Sequence, residues 1–582
     1  AKAALKGGNG MAKNRLPQAC CAQGVIRRTI TAFPGFAKNR TFGTDGIDDM
    51  QNMSCAAYPA LSTRAPRIGS DETEQPQSAK FRAVAEFENR VYTVEGDGIY
   101  YRSGPLTQQS RKVKRCSVSF DSAERSTAAL SGALLIMPDG IVIPRQGAVK
   151  KLNYSFSVMM TKLVSDETGD ALYLAGADAA AIRQGDRVTI YAYDNSGEQP
   201  TYGEKLCTVT VRGIEKKSAS EYILRTDRQS ASEKITGEEI ELYFVHTARP
   251  YAFMTVCDNR IWSCSPYGQI NASCLGDPFN YDRFDGLLSD AWTFDFGREM
   301  RFCAAYTFGD RPVFFTEHSI TQVYGSDPSE YSVQTKECNG VLSGCEKSIA
   351  QAGDCLYWLS PRGVVRYNGA SVQLISQSLG QMQLRDGVAA SDGRFYYLSC
   401  RADGAKRLLV YDTLLGTWTA QDDIALFGYT QNAESGGVVF FTEKGNLLFV
   451  SSGKGGSLTA QQGESFSWYA EFCDLCGRET ETLYTANESH LHAFAVRMEL
   501  AQNTAVKLYV GCDGAAPYLA AGCTAQGKNK GKALFYIPLS PHRADRYSLR
   551  IEGQGAAVLH SITRIYHAGS AIHTGAAVKI KQ

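Results

Sequence analysis

A chain of 582 residues exceeds the ~250–300 at which a single hydrophobic core stops growing, so several domains, or one large repetitive one, are expected. With 61 Lys and Arg against 60 Asp and Glu, the bulk charge excludes a generic pull towards nucleic acid or an anionic membrane, although not a local one. A content of 43% hydrophobic and 10% aromatic residues with 55 glycines excludes disorder and favours many short strands joined by tight turns.

The first twenty residues are expected to be a flexible segment. Lys6-Gly7-Gly8-Asn9-Gly10 directly before Met11 is what a purine-rich ribosome-binding site encodes when read in frame. Translation is therefore expected to begin at Met11, leaving 1–10 untranslated; the alternative is an ordinary Gly-containing tail. The acidic run Asp45-Gly46-Ile47-Asp48-Asp49 lacks the ~12-residue loop with a terminal Glu that calcium requires, and reads as a solvated turn.

From 21 to 151 strand-like runs dominate, and they recur further along the chain. Asn89-Arg90-Val91-Tyr92 is echoed by Asn259-Arg260-Ile261-Trp262. Leu135-Ile136-Met137-Pro138-Asp139-Gly140-Ile141-Val142 is echoed by Trp358-Leu359-Ser360-Pro361-Arg362-Gly363-Val364-Val365, an apolar strand, a turn with Pro and Gly, and a second apolar strand. Phe440-Phe441-Thr442-Glu443-Lys444-Gly445-Asn446-Leu447 is a further hairpin, and Leu408 to Asp412 followed by Gly416-Thr417-Trp418 reads as strand, turn and strand. Degenerate strand pairs of this kind are the mark of β-propeller blades. The segment 152–247 breaks the rhythm: Gln184 to Tyr191, Cys207 to Val211, Tyr222 to Arg225 and Glu239 to Phe244 fit a small inserted β-barrel. The propeller resumes over 248–455. A Gly- and Ser-rich linker around 453–457 leads into a C-terminal β-sandwich, the two together making up 456–582. The fold class expected is thus all-β: a propeller with an inserted barrel and a C-terminal sandwich.

Asn259 to Trp262 with Leu275-Gly276-Asp277-Pro278-Phe279-Asn280-Tyr281, Pro312 to Ile320 with Val323-Tyr324-Gly325, Trp358 to Gly369, and more weakly Glu471 to Gly477 with Arg550-Ile551-Glu552-Gly553 resemble the tail nozzle or stabilisation proteins of short-tailed bacteriophages. The resemblance spreads over most of 80–570 as a pattern without an invariant motif. It implies a structural virion protein, assembled in the host bacterial cytoplasm. Its partners would be copies of itself in a ring, other tail or connector proteins, and phage DNA in transient non-specific contact, without membrane insertion. The inserted barrel departs from the family pattern.

No residue is assigned a catalytic, cofactor-binding or metal-binding role, and no cofactor is expected. Cys473-x-x-Cys476 has the spacing of two zinc ligands, but His490 and His492 lack the usual ~3–5 residue spacing of the other two. The 17 cysteines, an odd number without regular spacing, read as free thiols in a reducing compartment and mostly as small core residues. His318 reads as a partly buried strand residue, not as a base. Asp277, Asp282 and Asp285 leave open a propeller glycoside hydrolase, whose two carboxylates would have to converge at the centre. Trp262, Tyr267 and Trp358 leave open a carbohydrate- or receptor-binding module that stacks sugars on exposed rings. The basic run Arg111-Lys112-Val113-Lys114-Arg115 reads either as a phosphate contact or as a charged edge strand that discourages aggregation.

Overall fold

The computed structural model describes residues 25–39, 46–69, 81–104, 106–107, 109–118, 120, 125–167, 169–194, 201–226, 231, 233–247, 253–265, 267–431, 437–450, 466–475, 489–525, 531–539, 543–544 and 547–567. The expectations for 1–20, for the start at Met11, for the 453–457 linker and for Cys476 lie outside these residues. Among the described residues all regular structure is strand apart from three short 3-10 turns, so the chain is all-β.

Seven four-stranded antiparallel sheets follow one another as blades: blade 1 (81–117), blade 2 (126–151), blade 3 (253–295), blade 4 (304–337), blade 5 (350–374), blade 6 (384–420) and blade 7 (426–450). Each pair of neighbouring blades shares an apolar core, and blade 7 packs back on blade 1 through Phe81, Val91, Phe441 and Phe449. The middle strands are covered on both faces, which is why Ala133–Met137 is apolar throughout and Val438–Thr442 apolar up to its last residue, with every residue buried. The repeated Asn-Arg motifs are hairpin turns. Glu88 and Asn89, like Asp258 and Asn259, all have positive φ, the signature of a two-residue type I′ turn, and the flanking pairs Phe87↔Arg90 and Cys257↔Arg260 sit in register.

Blade 7 draws its outer strand from the opposite end of the chain. Arg67–Gly69 pairs with Leu447–Val450, and the Arg67 guanidinium donates to Gln421 Oε1 at 2.5 Å and is ion-paired with Asp422. The N-terminal residues before it are not propeller, which corrects the assignment of 21–151 as a whole. Val25–Ile30, Met53–Ser54 and Leu61–Thr63 join one sheet with Ser489–Leu500, Gly531–Pro538 and Ala557–His567. Asp49–Gln51 joins the facing sheet with Ser467–Leu475, Ala505–Cys512, Tyr518–Thr524 and Tyr547–Gln554. Strands of two or three residues carry too little alternation to announce a partner some 500 residues away.

The two sheets enclose Phe494, Val496, Leu508, Leu549 and Ile551 in a core continuous with blades 5 and 6 through Phe33, Phe36, Met50 and Trp418. Gly35, at φ 80°, lets the chain pass so close that a Cβ there would lie 2.1 Å from the Trp418 carbonyl oxygen. Of the acidic run, Asp45 lies outside the described residues, while Asp48 and Asp49 are structural and not part of a solvated turn. Asp49 is held by Arg407 at 2.6 and 3.2 Å and by the Tyr469 hydroxyl at 2.9 Å, while Asp48 accepts from the Cys473 amide at 2.7 Å.

Between blades 2 and 3 the strands Tyr154–Asp166, Gly169–Ala175, Arg187–Asp194, Thr201–Lys216, Glu221–Thr226 and Ile240–His246 close into a barrel around Met160, Leu172, Val188, Ile190, Leu224 and Phe244.

Candidate docking site at the barrel–propeller junction

The chain enters the barrel at Tyr154 and leaves it at His246. These two residues are paired in register with their rings stacked 5.1 Å apart. Asp186 clasps both: its carboxylate accepts from the Tyr154 hydroxyl at 2.9 Å and the Arg183 amide at 2.9 Å, and lies 3.8 Å from His246 Nε2. His246 Nδ1, 2.9 Å from the Arg187 carbonyl, donates to it and fixes the ring. Burial pushes the Asp186 carboxyl above the ordinary carboxylate range, and the charge of His246 with the two hydrogen bonds only partly offsets it.

Because the native state favours the protonated carboxyl, the stability it lends is complete below the ordinary carboxylate pKa and is lost as the pH rises through the raised value. Asp186→Asn keeps an accepting oxygen and removes the titration. Urea unfolding at about pH 4, 5.5 and 7 is expected to show the wild type losing stability relative to this variant as the pH rises. Parallel pH profiles for the two proteins would count against the clasp as a titrating element.

Beside the neck lies a cleft of about 400 Å³ with unlike walls. The barrel face contributes Arg187, Thr189, Tyr191, Lys205 and Thr208, and the propeller contributes Leu135, Met137, Leu152, Phe279 and Tyr281.

The rim of this junction is the blade 3 loop between Gln269–Ala272 and Trp292–Asp295. Its conformation is held from within. The buried Arg260 guanidinium donates to the carbonyls of Ser273 (2.7 Å), Leu288 (2.7 Å) and Asp290 (2.5 Å). The buried Asp290 carboxylate accepts from the Asp285 amide (2.6 Å), the Leu287 amide (2.9 Å) and Arg283 Nε (2.8 Å). Burial works against its ionisation, but these partners outweigh burial and hold its pKa below the ordinary value. The loop so fixed exposes Leu275, Phe284, Leu287 and Leu288, each between 48% and 66%. Apolar side chains displayed together on a loop with a fixed backbone form a surface that is stabilised by being covered.

The other sequence candidates fall elsewhere or take different roles. Asp277, Asp282 and Asp285 lie on this outer loop and not at the propeller centre: Asp277 Oδ1 accepts from the Phe279 amide at 2.9 Å, and Asp285 pairs with barrel Arg212 at 3.0 Å. Trp262 and Trp358 are 1% and 0% exposed and belong to blade cores, so neither is a stacking platform; Tyr267 is exposed. His318 is exposed in the turn joining Pro312–Phe315 to Ser319–Tyr324, a correction to its placement in a strand, because Thr316 and Ser319 close that turn with a hydroxyl hydrogen bond of 2.8 Å. Cys473 is half-buried on the strand Ser467–Leu475, and among the described residues no three His, Cys, Asp or Glu side chains gather as metal ligands. Most of the described cysteines are buried. In the sequence Arg260 counted only as part of a repeated hairpin and Asp290 not at all, because nothing there distinguishes a buried arginine from a surface one.

At the centre of the propeller, Tyr306 of blade 4 and Tyr429 of blade 7 come from opposite sides of the ring. Burial raises both phenol pKa values, and for Tyr429 the proximity of Tyr306 and Glu86 raises it further. Lys347, before blade 5, lies 4.0 Å from the ring of Phe427 on blade 7. Side chains thus cross the middle of the propeller.

Neither a protein-family model nor a curated protein sequence matches the chain. Solved structures to which it is similar include PorZ, an essential bacterial surface component of the type-IX secretion system of Porphyromonas gingivalis, at 8% identity over 83% of this chain and 85% of that one, with a TM-score of 0.22. Hsv2 of Kluyveromyces lactis is 9% identical over 59% of this chain and 98% of its own, with a TM-score of 0.25. TmCBM61, solved with β-1,4-galactotriose, is 15% identical over 19% and 74%, with a TM-score of 0.12.

Proposed function

We propose that the chain is a structural component of a bacteriophage tail, a nozzle-like subunit that forms a ring with copies of itself and extends or closes the DNA-exit channel. The observation that carries this reading is the clamped loop of blade 3, whose four exposed apolar side chains need a covering partner. The segments that resemble tail nozzle proteins, the loop among them, support the same reading. In a ring the loop of one subunit meets a different surface of the next, a heterologous contact that closes by rotation. The channel for DNA is then the hole between subunits, since side chains cross the middle of each propeller. The role is one of assembly and not of catalysis.

Light scattering and negative-stain electron microscopy of the full chain test this. The wild type is expected to form a ring with an opening wide enough for duplex DNA. The double variant Phe284→Asp, Leu288→Asp is expected to remain monomeric with a melting temperature within about 3 °C of the wild type, as exposed positions make little difference to stability. A wild type that stays monomeric at high concentration, or a double variant that still forms rings, defeats the proposal.

A further inference from the structure

The basic run of blade 1 is an edge strand, and the structure places it beside a second basic edge. Val113–Ser117 is the outermost strand of blade 1, and Lys150–Lys151 is the outermost strand of blade 2. A β-bulge within blade 1 supplies the link between them. Ile99 pairs with Cys116 and Tyr100 with Lys114, so Arg115 is the extra residue, and its side chain reaches across to donate to the Gly147 carbonyl of blade 2 at 2.5 Å. Two of the remaining cations here are engaged by acids: Lys112 by Glu95 at 2.9 Å and Arg145 by Glu88 at 3.4 Å. Arg111, Lys114, Lys150 and Lys151 are all exposed and belong to none of the ion pairs the structure shows.

We infer that the joined outer edges of blades 1 and 2 bind the phosphate backbone of duplex DNA without regard to sequence, through Arg111, Lys114, Lys150 and Lys151. The whole chain carries a formal charge of only +1, so this excess is a local arrangement and not a product of composition. Of the large exposed hydrophobic residues, only Val113 lies on the patch. A protein partner needs a buried apolar or aromatic anchor for affinity, whereas a polyphosphate needs only cations spaced along a surface. One or two lysines suffice to keep an edge strand from pairing with another chain; a second basic edge, locked to the first by Arg115, goes beyond that need. The inference deepens the tail reading by locating the contact with DNA, and because binding is measured on the chain whatever its oligomeric state, its failure leaves ring formation untouched.

The experiment is fluorescence anisotropy of a labelled duplex of about 30 base pairs with the full chain. Four phosphate contacts give a slope of log K against log salt near −3.6, so affinity is expected to fall about a hundredfold between about 50 and 200 mM salt. Replacing Arg111, Lys114, Lys150 and Lys151 together by Gln is expected to flatten that slope and weaken binding at low salt at least tenfold, with the circular dichroism spectrum unchanged. Replacing Lys216, Lys234, Lys507 and Lys532 by Gln removes the same charge elsewhere and is expected to leave the slope as it was. The inference is overturned if the wild type shows no salt-dependent binding, if the two quadruple variants behave alike, or if polyglutamate or phosphatidylserine vesicles compete at lower charge concentration than DNA.

Discussion

Replacing Arg260 by Met is expected to destabilise the protein by about 3–4 kcal/mol and to open the blade 3 loop. The guanidinium is 1% exposed and donates to three main-chain carbonyls. Methionine retains much of the aliphatic stem but offers no donor, and each buried oxygen left without a partner costs about 1–3 kcal/mol, less where the loop can relax towards water. That relaxation is the functional consequence, since it would dissolve the surface formed by Leu275, Phe284, Leu287 and Leu288. Urea unfolding measures the first effect, and limited proteolysis between 275 and 289 the second. A variant within about 0.5 kcal/mol of the wild type, with the loop still protected, would mean that Arg283 and Asp290 hold it unaided.

Removing residues 1–69 is expected to prevent folding altogether. The deletion takes the outer strand from blade 7 and strands from both sheets of the sandwich, and it removes Phe33, Phe36 and Met50 from the core they share with Trp418. The single change Arg67→Ala isolates the closure. It leaves the Gln421 amide oxygen without its guanidinium partner and Asp422 with the more distant Arg64, at 3.5 Å, and the Ile424 amide, at 3.3 Å, and is expected to cost about 3–5 kcal/mol. Circular dichroism and size exclusion decide between the outcomes. A chain starting at residue 70 that is monodisperse and melts like the wild type would show that the closing strand is dispensable.

What was legible in the sequence is what local physics writes. Ala133 to Met137 followed by Pro138-Asp139-Gly140 is a hairpin because the turn residues and the apolar runs are adjacent, and Glu88-Asn89 and Asp258-Asn259 repeat because a type I′ turn tolerates few residue types at positive φ. What escaped depended on distant partners. Nothing within Asp49-Met50-Gln51 foretells Arg407 or Tyr469, and its acidic neighbours Asp45 and Asp48 made it look like solvent. Trp262 and Trp358 were open to reading as sugar platforms, yet Trp358 stands between Tyr357 and Leu359 and Trp262 follows Ile261 in a middle strand, and a propeller blade buries such strands on both faces. The docking loop was visible as residues but not as a site, because its rigidity comes from Arg260, on a different strand of the same blade.

The pairing of Val25–Ile30 with Ala557–His567 has a consequence for how the protein comes into being. A ribosome adding roughly 5–20 residues per second needs about half a minute to two minutes to travel from one partner to the other. Throughout that interval Val25–Ile30 has no companion, while blades 1 to 6 have all their strands and can form in order. Blade 7 has its four strands once residue 450 is made, so the two sheets of the sandwich alone wait for the last strands. Maturation therefore ends in one late step that completes the sandwich beside a propeller whose strands are already all present, and the yield of intact protein depends on keeping the waiting strands from pairing with those of another nascent chain.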